Sequence, residues 1–222
     1  MVETAFDLSG WRGARLPEAV VLAGRWVRLE RLDSAAHAAA LWRAVRGHDE
    51  VWDWLADGPY EAEAGLAEAL EAKAAGAAAR FYAVVTEAGR GAEGYASLMR
   101  MDPANGVIEV GNIMLSPGLQ RTRAATEVIY LLARYVFEGL GYRRFEWKCN
   151  AGNLPSRRAA ERFGFVFEGI FRQHMVVKGR NRDTAWYSML DGEWAARKAA
   201  FEAWLDPANF DGAGRQIKRL GA

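Results

Sequence analysis

Apolar and polar positions along the chain change rhythm several times, and each change marks an element. Residues 25–32 carry the β-prone run Trp26-Val27-Arg28-Leu29-Glu30-Arg31-Leu32, which reads as a strand. Asp33 and Ser34, both good helix caps, then open an alanine-rich stretch with Leu41, Trp42 and Val45 at helical spacing. A second helix is expected after Pro59, where Leu66 and Leu70 stand four apart behind an acidic start of Glu61 and Glu63. Three strand-like runs follow at 80–86, 93–101 and 107–115, and the turn Asp102-Pro103-Ala104-Asn105-Gly106 predicts antiparallel pairing of the last two. A long helix over 123–138, with Val128, Ile129, Leu131, Leu132 and Val136 apolar, stops near Gly139 and Gly141. Then come a strand at 143–149, a short helix over 155–163 ended by Gly164, and strands at 165–177 and 182–190 joined through Lys178-Gly179-Arg180-Asn181. A last helix over 193–205 carries Trp194, Phe201 and Trp204 on related faces.

The long helix connects 107–115 to 143–149 as a crossover, which makes those two strands parallel while the hairpins stay antiparallel. The expected class is therefore α/β (α+β), a mixed and mostly antiparallel sheet flanked by helices. Nothing marks a linker, so residues 1–222 read as one domain with its core at about 22–190, a leader at 1–22 and the C-terminal helix beyond.

Composition removes several functions. Of 222 residues 51% are hydrophobic and 26% charged, which excludes disorder as the main state. Lys plus Arg total 29 against 28 acidic residues, so no bulk field favours nucleic acid or an anionic membrane. No apolar run approaches the roughly 18 residues of a membrane span, and the charged N-terminus is not a secretory signal. Cys149 is the sole cysteine, which suits a reducing compartment and predicts a cytoplasmic protein. His37, His48 and His174 are scattered, and no metal site is expected.

The most informative stretch runs from Asn112 to Glu127: a buried strand, Ser116-Pro117-Gly118, a tight loop and the start of the long helix. Free amides and the helix dipole make such a loop an anion site, with Arg121 and Arg123 adding charge; an ordinary turn with two solvated arginines is the alternative. This loop, written Gln120-x-x-Arg123-x-Ala125, together with Asn153-x-x-Ser156, Phe163-Gly164-Phe165 and Glu168-Gly169 downstream, resembles the GNAT superfamily of acetyl-CoA-dependent N-acetyltransferases, and within it the RimJ/RimL type, the ribosomal-protein-alanine acetyltransferase-like branch.

The resemblance implies acetyl-CoA as cosubstrate, with its diphosphate on the amides of Gln120, Arg121, Thr122, Arg123, Ala124 and Ala125. Arg123 stands where the family usually has glycine. The strands 107–115 and 143–149 would splay, and Ile113 and Leu115 would line the edge that takes the pantetheine arm. Asn153 and Ser156 would face the thioester region besides capping a helix. The tyrosine that many relatives place seven residues after the asparagine is Ala160 here, which leaves Ser156 as proton donor to the departing sulfur; the branch's glutamate would fall at Met175.

Direct attack of an amine on a thioester requires a proton acceptor for the ammonium. Glu109 is the first candidate, a charge amid apolar strand neighbours, although a structural ion pair or outward orientation explains it equally. His174 is the second, or a structural hydrogen-bonder; Asp183 orients a base or binds the incoming amine, with a turn salt bridge as the simpler account. Trp52, Trp54 and Tyr60, near Asp53 and Asp57, wall an amine pocket or belong to the core. Arg157 and Arg158 meet the cofactor's 3′-phosphate or solvent. The expected activity is acetyl transfer to a primary amine, either a protein N-terminus or a small molecule, with a non-catalytic acyl-CoA-binding or scaffold module as the rival; plentiful aromatic residues also suggest a homodimer.

Overall fold

The computed structural model describes residues 7–86, 89 and 91–220. Its elements run β1 (Leu22–Ala23), β2 (Val27–Arg31), α1 (Ser34–Val45), α2 (Glu63–Ala75), β3 (Ala79–Thr86), β4 (Gly91–Asp102), β5 (Val107–Leu115), α3 (Arg123–Arg134), β6 (Arg144–Asn150), α4 (Leu154–Arg162), β7 (Val166–Val177), β8 (Arg180–Leu190) and α5 (Asp191–Leu205). The eight strands form one sheet in the order β1-β2-β3-β4-β5-β6-β8-β7. Among the described residues only β5 and β6 pair in parallel, as the α3 crossover requires.

Strand alternation divides the side chains between two layers. One face contributes Val27, Leu29, Tyr82, Val84, Leu98, Ile108, Val110, Phe145, Tyr187 and Met189 to a core shared with α3, α4 and α5. The other face is covered by α1 and α2 over β3 and β4, where Leu41, Leu66 and Leu70 pack on Phe81 and Tyr95. Asp33 caps α1 by accepting from the Ala36 amide at 3.1 Å, as its type and position predict.

A buried carboxylate ties α3 to the sheet beside β2. Glu127 on α3 accepts from the amides of Arg25, Trp26 and Val27 at 2.8, 2.6 and 3.0 Å, holding the start of β2. Gly24 makes room for it, because a Cβ there would lie 2.4 Å from the carboxyl carbon.

The structure differs from the sequence expectation in two places. The helix expected over 123–138 becomes a π turn after Arg134, with the Leu140 amide donating to the Tyr135 carbonyl, and Gly139 lies flat against the Tyr135 ring where a side chain would clash. The β7–β8 reversal is a tight Lys178-Gly179 turn rather than a four-residue one, both residues having positive φ (48° and 71°). The leader packs over the opposite end of the sheet, at the β4–β5 turn: Trp11 Nε1 donates to the Ala104 carbonyl at 2.6 Å, and the Ala14 amide to the Pro103 carbonyl. No helix among the described residues is long and apolar enough to cross a membrane.

Candidate functional site

The parallel ladder between β5 and β6 is short. It pairs Val107 with Arg144 and ends at Val110 with Trp147, while β5 continues to Leu115 and β6 to Asn150. Beyond Val110 the two strands part. The cause on the β5 side is a bulge: Tyr95 pairs with Met114 and Ser97 with Gly111, so Asn112 and Ile113 stand opposite Ala96 alone, with Asn112 at φ 48°. Ser97 Oγ donates to the Gly111 carbonyl at 3.0 Å and fixes the bend. The fork so formed has Ile113 and Leu115 on one arm and Cys149 and Asn150 on the other.

At the open end of the fork, the loop 116–122 turns into α3. Ser116 accepts from the Leu119 amide, and the Gln120 amide donates to the Ser116 carbonyl. Thr122 caps the helix, its hydroxyl oxygen accepting from the Ala125 amide at 3.1 Å. Among the described residues the amides of Arg121, Arg123 and Ala124 have no protein acceptor, so three donors at the positive end of a helix dipole remain for an anion. Arg121 takes φ 61°, which turns the chain into the helix. Arg123, where the family usually has glycine, is helical, and its guanidinium lies 4.4 Å from the ring centroids of both Trp26 and Phe210. That stacking draws the side chain off the loop and leaves the amides open. Gln120 turns back to the Leu115 carbonyl at 3.0 Å.

Across the fork, Asn153 caps α4 by accepting from the Ser156 amide at 3.0 Å. Ser156 Oγ accepts from Trp147 Nε1 at 3.0 Å, which leaves its own hydroxyl proton to be donated elsewhere. The hydroxyl lies beside Cys149, whose thiol burial pushes up. Ala160 is buried in the core. Arg157 donates to the Tyr187 hydroxyl at 3.0 Å; Arg158 is exposed.

The face of β5, β6 and β8 turned away from α3 is polar. A chain of charges crosses it: Arg100 to Glu109 at 3.2 Å, Glu109 to Lys148 at 2.9 Å, Lys148 to Glu146 at 2.6 Å, Glu146 to Arg144 at 2.8 Å and Arg144 to Glu168 at 2.5 Å. Lys148 Nζ also lies 3.8 Å from the ring centroid of Trp186. Arg144 holds the Glu168 carboxyl below its ordinary value, despite partial burial. Glu109 is 4% exposed. Both of its ion-pair contacts are to Oε2, and a Cβ on Gly111 would lie 3.4 Å from Oε1, so Oε1 faces the point where the fork opens.

His174 joins this face through β7, its Nδ1 3.0 Å from Thr184 Oγ1 and its ring edge-on to Phe171. Asp183 works inside the hairpin: it accepts from the Gln173 amide at 2.7 Å and from Asn181 Nδ2 at 2.9 Å, and the first of these holds its carboxyl below the ordinary value. A cavity of about 550 Å³ opens between Trp54, Asn150 and the hairpin residues Lys178, Arg180 and Arg182.

Of the aromatic residues expected at an amine pocket, Trp54 lines this cavity. Trp52 is 2% exposed and packs edge-on to Tyr60 at 5.0 Å within the α1–α2 layer. Tyr60 donates to Asp57 at 2.6 Å, and Asp57 is ion-paired with Lys73, while Asp53 lines the cavity. The sequence reading passed over Lys148, Trp186, Lys178, Arg180 and Arg182. For Lys148 the signal was available, since a lysine between Trp147 and Cys149 in a buried strand is the same anomaly that singled out Glu109.

Comparison with known proteins agrees with this geometry. The family model for the acetyltransferase (GNAT) domain matches residues 27–166. The crystal structure of a GCN5-related N-acetyltransferase from Brucella melitensis is 50% identical with a TM-score of 0.93, covering 95% of this chain and 96% of that one. A structure from Chromobacterium violaceum, described as a probable acetyltransferase of the GNAT family, is 45% identical with a TM-score of 0.81 over 88% and 98% of the two chains. The Bacillus subtilis protein named "Putative ribosomal N-acetyltransferase YdaF" is 32% identical over 105 residues, 47% of this chain; the match spans 57% of that relative's length.

Proposed function

Since the chain belongs to the GNAT acetyltransferase family, we propose that it transfers an acetyl group from acetyl-CoA to a primary amine by direct attack of the amine on the thioester. One observation carries the reading: a fork between parallel strands leads to three unpartnered amides at the start of α3. Arg121, Arg123 and Ala124 would hold the diphosphate, and Ile113 and Leu115 would border the pantetheine arm. The bound cosubstrate supplies an acyl group already activated as a thioester.

The rest falls to this chain's side chains. A carbon–nitrogen bond forms as the carbon–sulfur bond breaks; the nitrogen gives up its ammonium proton and a second proton, and the sulfur takes one. Glu109 Oε1 is the acceptor for the ammonium proton, through water, with Lys148 and Arg100 holding Oε2 in place. The Ser156 hydroxyl, turned by Trp147, donates to the sulfur. His174 and Asp183 position the hairpin wall of the acceptor site. The name of the B. subtilis relative, with the Asn153 and Ser156 pattern, supports a RimJ/RimL-like enzyme acting on a protein N-terminus.

The test combines calorimetry with acetyl-CoA and mass spectrometry of a mixed panel of N-terminal peptides and small amines. Binding at micromolar concentrations with acetylated product supports the reading. Absence of binding removes it, and binding with no product from any amine marks an acyl-CoA-binding module instead.

A further inference from the structure

The cavity beside the fork carries a charge that transfer to a simple ammonium ion does not explain. Among the residues that line it, Lys178, Arg180 and Arg182 are cationic and only Asp53 is acidic. Three cations against one carboxylate in a partly dehydrated hollow leave a positive potential, which repels a bare cation and attracts an anion. Within the described residues Arg180 and Arg182 enter no ion pair, and Lys178 Nζ donates to the Trp52 carbonyl at 3.0 Å.

The backbone places these charges deliberately close. The tight Lys178-Gly179 turn reverses the chain at once, and Arg180 and Arg182 stand two residues apart on β8, hence on one face. Arg182 is the deepest of the three. Its Nε is buried without a hydrogen-bond partner, a cost in the free protein that an incoming oxygen anion would offset. Burial pushes its guanidinium below the ordinary arginine value, and the nearby Glu109 carboxylate offsets only part of that shift.

We propose that this cavity selects amines carrying a carboxylate or phosphate near the reacting nitrogen, with Arg182 as the principal contact and Lys178 and Arg180 at the entrance. The inference rests on the acetyl-transfer reading and narrows its acceptor from any primary amine to an anionic one. The same field favours the reaction, since an ammonium group near fixed cations gives up its proton more readily. Two sources share this chemistry: a free amino acid or phosphorylated amine, and a polypeptide N-terminus followed by acidic side chains.

The experiment measures kcat/KM at saturating acetyl-CoA for matched pairs. Glycine against glycinamide and phosphoethanolamine against ethanolamine form the small-molecule arm; amidated Ser-Asp-Asp-Ala against amidated Ser-Asn-Asn-Ala forms the peptide arm. The proposal expects about a tenfold or greater advantage for the more anionic member in at least one arm, and that arm identifies the source. Arg182→Gln should bring the ratio towards one, and Arg182→Lys should restore part of it. Calorimetry of the two N-acetylated peptides on the wild-type protein with CoA gives an independent readout that needs no turnover, and the acidic product should bind more tightly in the peptide case. Neutral members used as well as anionic ones in both arms would overturn the inference while leaving acetyl transfer intact, as would an equal loss for both members in Arg182→Gln. Failure of acetyl-CoA itself to bind would instead remove the parent reading.

Discussion

The two faces of β5, β6 and β8 have the same backbone and opposite duties. Towards α3, α4 and α5 the strands present Ile108, Val110, Phe145, Ala185, Tyr187 and Met189, each at most 1% exposed. One residue along, the same strands present Glu109, Glu146, Lys148, Thr184, Trp186 and Ser188. The first face is held by burial of apolar area, the second by a chain of ion pairs whose desolvation cost has to be offset by close geometry. The comparison teaches that the polar face is kept for something other than stability, because a well-packed apolar face would hold the sheet at least as well.

Substitutions on each side sharpen this contrast. The largest effect on stability is expected from Phe145→Ala on the apolar face, about 3–5 kcal/mol by urea unfolding, because the ring is fully buried. Transfer activity should fall only with the folded fraction. Glu109→Gln on the polar face should reverse that pattern: kcat falls about 100- to 10,000-fold with a smaller loss of stability. If kcat holds while stability drops, Glu109 is a structural ion pair only.

Ser156→Ala comes next. Removing the hydroxyl should lower kcat about tenfold with KM for acetyl-CoA little changed, and it leaves Trp147 Nε1 without its acceptor. The smallest effect is at the margin of the charged face. Arg144 depresses the folded-state pKa of Glu168, so the carboxylate stabilises the fold above its ordinary value of 4.5, and this contribution disappears as pH falls through the lower folded value. Glu168→Gln should flatten the loss of stability below about pH 4.5 in acid titration while lowering stability at neutral pH. A steeper acid loss in the variant would contradict the assignment.

The elements were largely legible because strand and helix periods are local. The Asp33 and Asn153 caps, the Asp102 to Gly106 turn and the α3 crossover all follow from residue type and spacing. The fork was expected only through a family resemblance, since its origin is the bulge at Asn112, a matter of register between β4 and β5 that no local signal specifies. Trp52 and Trp54 show the same limit. They lie two residues apart with the same chemistry, yet the short 3-10 turn Asp49–Trp52 buries the first and leaves the second at the cavity. The placement of Arg123 was equally out of reach, since two aromatic residues remote in sequence, Trp26 and Phe210, stack on its guanidinium.

The central claim is that the arms of the fork and the start of α3 hold the acyl donor, and amide hydrogen exchange with and without acetyl-CoA tests it most directly. The account predicts slowed exchange at residues 111–115 and at the amides of Arg121, Arg123 and Ala124, with the apolar core unchanged. Acetyl-CoA binding that leaves those amides exchanging freely, and protects another surface, would contradict it.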